Sequence, residues 1–201
     1  MPIINQTMFP AFVKFQGDKN AATYYHKKLL DLVSILFFPV FIGTIGIAHS
    51  FILTIAGTQW EQSVLPLKIM SLGALCRLCS LLFYPVILSM GRADLRFKLS
   101  LLQFTLMLPL TFLAIDYGVY GLAIIWTATE IMLLLVTIEF SKRLLDTSFL
   151  KFIKTLTPAL VASSVMFISI SYIEQLLIEK NHLIILMTQI LTGIISYIFI
   201  I

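Results

Sequence analysis

The chain reads as an all-α polytopic bundle of about six transmembrane helices. Three observations predict it. First, apolar residues make up 59% of the 201 positions and charged residues only 12%, against roughly 25% charged in a soluble domain; mean hydropathy is +0.99. Second, the apolar residues fall into runs near the ~20 residues that a spanning helix needs. Third, the basic residues gather in alternate gaps between those runs. A soluble fold has too little interior to hide this much hydrocarbon, so a single membrane domain or half-domain is expected at this length.

Residues 1–12 are mostly apolar yet too short to span. They look like the tail of a helix whose beginning is missing, and with the basic stretch up to residue 28 they form a lead-in segment. The first long run is too long for a signal-peptide core, so no secretory signal is expected. It covers residues 29–56 and contains Pro39, Gly43 and Gly46. The second covers 65–90 and holds Pro85. The third, 99–115, is short and holds Pro109. Asp116-Tyr117-Gly118 joins it to the fourth, 117–138, with glycine free to take positive φ in the turn. Residues 155–173 and 183–201 complete the set, as two further helices in the segment 146–201. Proline inside a helix removes one backbone bond and tends to kink it. Membranes tolerate such kinks where neighbours or a cavity repair the loss.

Charge sets the orientation. Lys14, Lys19, Lys27 and Lys28, then Arg92, Arg96 and Lys98, then Lys142, Arg143, Lys151 and Lys154 all fall on one side. Lys180 alone falls on the other, while Lys68 and Arg77 lie within a run. The positive-inside rule puts the Arg92 and Lys142 loops in the cytoplasm. Trp60 and Tyr117 then fall at the outer interface, where amphipathic rings are favoured. Lys68 is expected to snorkel toward that interface.

Two ionisable residues sit deep in the apolar runs. Counted from the outer ends of their runs, Arg77 and Glu130 lie ~16 and ~18 Å deep at about 1.5 Å per residue. Charges at such depth are costly and mark a polar pathway by default. Matching depth would let the two pair across facing helices. Two readings stay open: a structural clamp, or a cavity in which Arg77 attracts an anionic substrate and Glu130 tunes it. Arginine suits phosphate because its planar fork donates two parallel hydrogen bonds. His49, nearer the outer end of its run, reads as a packing residue or as a proton relay.

Cys76 and Cys79 form a C-x-x-C on one helix face. A redox motif would want a soluble strand–helix setting and a metal site would want more ligands, so they read as small packing residues. The chain contains no H-E-x-x-H, no G-x-S-x-G, no glycine-rich phosphate loop and no clustered carboxylates, so no enzyme is expected. No cofactor or metal is implied. No basic–aromatic pattern suggests nucleic acid.

Several strings occur in an ordered set. Phe9-Pro10-Ala11-Phe12 precedes Gln16 and Asp18. Phe38-Pro39 and Gly43 precede Gly57 and Trp60. Leu67-Lys68-Ile69-Met70 leads to Arg77. Gly91-Arg92-Ala93-Asp94-Leu95-Arg96-Phe97-Lys98 comes next, and then Tyr117-Gly118-Val119-Tyr120-Gly121-Leu122-Ala123. In order and spacing, over residues 9 to about 145, this set resembles the polysaccharide-transport branch of the multidrug/oligosaccharidyl-lipid/polysaccharide flippase superfamily. Colanic acid and teichuronic acid exporters are the members it looks most like. Val13 departs from the small hydroxyl residue expected there, and residues 146–201 match only in type.

The resemblance implies a C-terminal half of a two-bundle transporter, with residues 29–145 as its four-helix core. It implies export of undecaprenyl-diphosphate-linked glycan across the bacterial inner membrane by alternating access. It also implies membrane lipid and lipid-linked oligosaccharide as partners, together with an N-terminal bundle and other polysaccharide-assembly proteins. Arg77, Glu130, Arg92 and His49 become cavity candidates for substrate. Arg92, at the cytoplasmic end, would greet a diphosphate on loading or serve only as a topology anchor. The rival readings are an accessory or nonfunctional membrane fragment and a membrane-embedded glycan-processing enzyme. The second would want a larger polar outer loop than residues 57–65 provide.

Overall fold

Hydrocarbon offers a backbone no hydrogen-bond partners, so apolar runs of this length must bond internally as helices. The computed structural model describes residues 18–142, 144–145, 148–177 and 181–201. Among them every regular element is helical. The long helices are α1 (Lys19–Ile55), α2 (Val64–Leu81), α4 (Ala93–Ala114), α5 (Gly118–Ser141), α6 (Phe149–Leu176) and α7 (His182–Ile200), with a short α3 (Tyr84–Ser89) after α2. Short 3₁₀ turns occupy Thr58–Ser63 and Ile115–Tyr117. The Phe9-Pro10-Ala11-Phe12 string, Val13, Lys14, Gln16, Arg143 and Lys180 lie outside the described residues.

Two of the predicted runs are redrawn in the structure for a local reason. α1 starts well before residue 29 because Asp18 caps it. The Asp18 carboxylate accepts from the N–H groups of Asn20 and Ala21, both at 3.0 Å, satisfying donors that a helix start leaves orphaned. The run predicted at 65–90 is two helices, not one kinked helix. α2 ends at Leu81, and Pro85 sits in the first turn of α3, where its missing N–H costs nothing. The joint is buried, with Leu82 and Phe83 at 1% and 0% exposure.

Among the described residues, five stretches are long and apolar enough to cross a membrane, and one of them, Ala93–Ser141, is 49 residues long. That stretch folds back on itself. Gly118 takes φ 60°, a left-handed value that favours glycine. The resulting hairpin gives α4 and α5 lengths of about 33 and 36 Å, each enough for a hydrocarbon core ~30 Å thick. The bundle therefore contains the six long helices that the sequence predicts, and the third and fourth are one continuous apolar run.

α1 is the central wall. It packs against α2 on one side and against α6 and α7 on the other; α2 packs against α5, and α5 against α4. Pro39 lies inside α1 and removes the N–H that would bond the carbonyl of Ile35. The Tyr197 hydroxyl of α7 donates to that carbonyl at 2.7 Å. α2 and α5 approach closely at Gly73, where an added Cβ would come within 2.7 Å of the Trp126 ring and 2.8 Å of the Thr127 hydroxyl. Thr127 donates across the same interface to the Ile69 carbonyl at 2.9 Å.

The ends of the bundle agree with the charge pattern. The His26 ring lies 4.4 Å from Phe83, and Phe83 lies 6.0 Å from Phe152. The starts of α1 and α6 thus meet the α2–α3 joint at one end, the end that carries Lys27, Arg92, Lys151 and Lys154. Trp60 and Tyr117 are exposed at the other. Cys79 is buried in the main apolar core and Cys76 is partly buried; neither forms a disulfide.

Candidate functional site

α2, α4 and α5 bring a polar cluster to mid-depth. Arg77 Nη1 donates to Glu130 Oε1 at 2.6 Å. Gln103 Nε2, from α4, donates to the same oxygen at 3.1 Å. A charge-assisted bond of this kind is short and strong. The two partners are not equally hidden: the Glu130 side chain is 2% exposed and the Arg77 side chain 45%. The carboxylate is held inside, while the guanidinium fork has donors to spare toward the open side of the bundle.

The cluster continues along α4. Arg96, Ser100, Gln103 and Thr111 are spaced so that they share one helix face. Arg96 Nη1 donates to the Ser100 hydroxyl. Its guanidinium carbon lies 3.8 Å from the centre of the Tyr84 ring, a cation–π distance. Ser100, Gln103 and Thr111 line a groove of about 550 Å³, completed by Phe104, Met107, Leu108 and Phe112. A polar strip on α4 therefore leads from the basic end of the bundle to the Arg77–Glu130 pair.

Sequence reasoning found Arg77, Glu130 and their pairing from matched depth. It missed Gln103 as the third member and took Arg96 only as a topology anchor. The i, i+4, i+7 spacing of Arg96, Ser100 and Gln103 was the available signal. The other two candidates lie elsewhere. Arg92, before α4, is exposed and bonds Asp94 through Nε at 3.0 Å and Nη2 at 3.2 Å. His49 faces His182 of α7 at the opposite end, with ring centres 6.3 Å apart. Neither residue touches the Arg77–Glu130 pair.

Comparison with known proteins bears on this arrangement. A family described as "polysaccharide biosynthesis protein" matches residues 1–65. The lipopolysaccharide biosynthesis protein WzxC of Escherichia coli (strain K12) is 28% identical over 108 residues, 54% of this chain and 22% of that protein. The teichuronic acid biosynthesis protein TuaB of Bacillus subtilis (strain 168) is 26% identical over 96 residues, 48% of this chain and 20% of that protein. Over part of its length the chain is therefore similar to bacterial proteins of polysaccharide biosynthesis. An uncharacterized membrane protein in the cps region of Klebsiella pneumoniae is also similar, at 27% over 124 residues, 61% of this chain and 26% of that protein. The chain thus matches about a fifth to a quarter of the length of these relatives. No solved structure matches it. Its apolar helices, together with these similarities, make the chain a multi-pass bacterial membrane protein.

Proposed function

We propose that this chain supplies one wall of a transporter that moves an anionic, lipid-linked oligosaccharide across the bacterial inner membrane. The observation that carries the reading is Arg77: a half-exposed guanidinium at mid-depth, with its counter-charge buried behind it. A cation left half open there faces water, an anion or another bundle, because hydrocarbon would be too costly. A diphosphate head group crossing the membrane needs a partner for its charge at that point. The Arg96–Ser100–Gln103 strip offers polar contacts on the way from the basic end, and Arg92 stands exposed at that end for loading. His49 lies away from this path and serves packing against His182. The names of the relatives support a polysaccharide precursor as cargo. The cavity would be completed by a second bundle, and the reading assigns no catalytic step or cofactor to the chain.

Complementation tests the reading. In a strain lacking its own exporter, a full-length exporter containing these residues should restore surface polysaccharide. Arg77→Ala should abolish export while the protein is still made and inserted. Arg77→Lys should rescue only in part, since an ammonium keeps the charge but loses the fork. Full export by Arg77→Ala would remove Arg77 from the mechanism.

A further inference from the structure

A second polar cavity lies on other elements, between the starts of α1 and α6 at the basic end of the bundle. It holds about 300 Å³ and is lined by Thr23, His26, Lys27, Lys151, Lys154 and Thr155, with Leu30 and Phe152 as its apolar floor. On α1, Thr23, His26, Lys27 and Leu30 share one face at i, i+3, i+4 and i+7. No carboxylate among the described residues lines it, and neither Lys27 nor Lys154 is ion-paired with another described residue.

His26 decides what the cavity is for. The residue is 2% exposed, its ring is packed against Phe83 at 4.4 Å, and its Nε2 has no hydrogen-bond partner among the described residues. A buried polar nitrogen left unpaired carries a desolvation cost, and native folds pair nearly all such groups. Topology setting alone asks only for exposed lysines; it gives no reason to place an unpaired imidazole nitrogen beneath them. A water molecule takes about 30 Å³ of liquid, so the cavity has room for a phosphate group, its linking atoms and some bound water.

We infer that this crevice binds a phosphate-bearing anion: Lys27 and Lys154 supply charge, and His26 Nε2 supplies a fixed hydrogen bond at the base. Basic pockets between transmembrane helices on the cytoplasmic side bind anionic head groups by this chemistry. The ligand has two sources, the head group of a membrane phospholipid or a phosphorylated solute from the aqueous side. The site shares no residue with the Arg77–Glu130 cluster and does not depend on the transport reading.

The test uses the whole chain reconstituted in nanodiscs of neutral phosphatidylcholine. One arm replaces part of the lipid with phosphatidylglycerol; the other titrates inorganic phosphate at constant ionic strength. The expected result is a rise in melting temperature in one arm. Phosphatidylglycerol alone would identify a lipid head group, and phosphate alone a soluble ligand. Lys27→Ala/Lys154→Ala should weaken the apparent affinity at least tenfold. His26→Phe, which keeps an aromatic ring against Phe83 but removes the nitrogen, should also weaken it. Lys19→Ala/Lys28→Ala makes the same charge change outside the crevice and should leave the affinity within twofold. No stabilisation in either arm would overturn the proposal, as would equal losses in the crevice pair and the control pair.

Discussion

Removing the guanidinium of Arg77 should cost more than neutralising Glu130, although both changes act on the same 2.6 Å bond. The asymmetry follows from burial. Arg77→Ala strands a carboxylate that is 2% exposed, with Gln103 the one donor left to it among the described residues. Breaking a fully buried pair costs about 3–5 kcal/mol, and an exposed pair is worth about 0–1 kcal/mol. The Arg77 side chain is 45% exposed, so the expected loss lies between these limits, near ~2 kcal/mol. Glu130→Gln keeps the shape and an acceptor oxygen, and Arg77 can rehydrate through its open side, so about 1 kcal/mol or less is expected. The double variant should be less damaging than the two losses summed, by about 1 kcal/mol or more. Unfolding in mixed micelles, followed by tryptophan emission, would read this, because Trp126 sits at Gly73 on the same α2–α5 interface. Additivity within a few tenths of a kcal/mol, or equal costs for both single changes, would refute the reasoning.

Three further outcomes are expected. Gly73→Val should destabilise by about 1–3 kcal/mol through overpacking, because even a Cβ meets Trp126 at 2.7 Å; a melting temperature equal to wild type would mean that the interface can spread. Tyr197→Phe should cost about 1 kcal/mol for the lost bond to the Ile35 carbonyl. It should cost less in a Pro39→Ala background, where the restored N–H takes that carbonyl; an unchanged cost would show that the proline and the tyrosine are not linked. Reporters active only outside the cytoplasm should be active when fused at Gln59 or Asn181 and silent at Asp94 or Ser148, and the reverse pattern at Gln59 and Asp94 would invert the topology.

What the sequence made legible was periodic or additive. Hydropathy marked the long helices, Asp116-Tyr117-Gly118 marked the hairpin turn, and depth counted in residues matched Arg77 to Glu130. What it hid depends on how helices are set beside each other. The α2–α3 break could not be told from a kink, because Pro85 satisfies either until the buried Leu82–Phe83 joint is seen. Gln103 and Arg96 were readable as a face of α4, yet only the hairpin aims that face at Glu130. The His26 crevice needed α6 beside α1, more than a hundred residues apart in the chain. Lysines on two helices read as separate topology signals until the helices meet.

Pro39 has a mechanical consequence. A proline usually leaves its helix compliant, because one carbonyl loses its tie. In α1 that carbonyl is taken by Tyr197, so α1 and α7 act as a braced bracket, stiff where the sequence looks weakest. Pro109 in α4 frees the carbonyl of Thr105 in the same way, and among the described residues no side-chain bond to it is recorded. Pro158 in α6 frees the carbonyl of Lys154 likewise. The helix that carries Arg96, Ser100 and Gln103 is therefore more compliant at its proline than α1 is at Pro39.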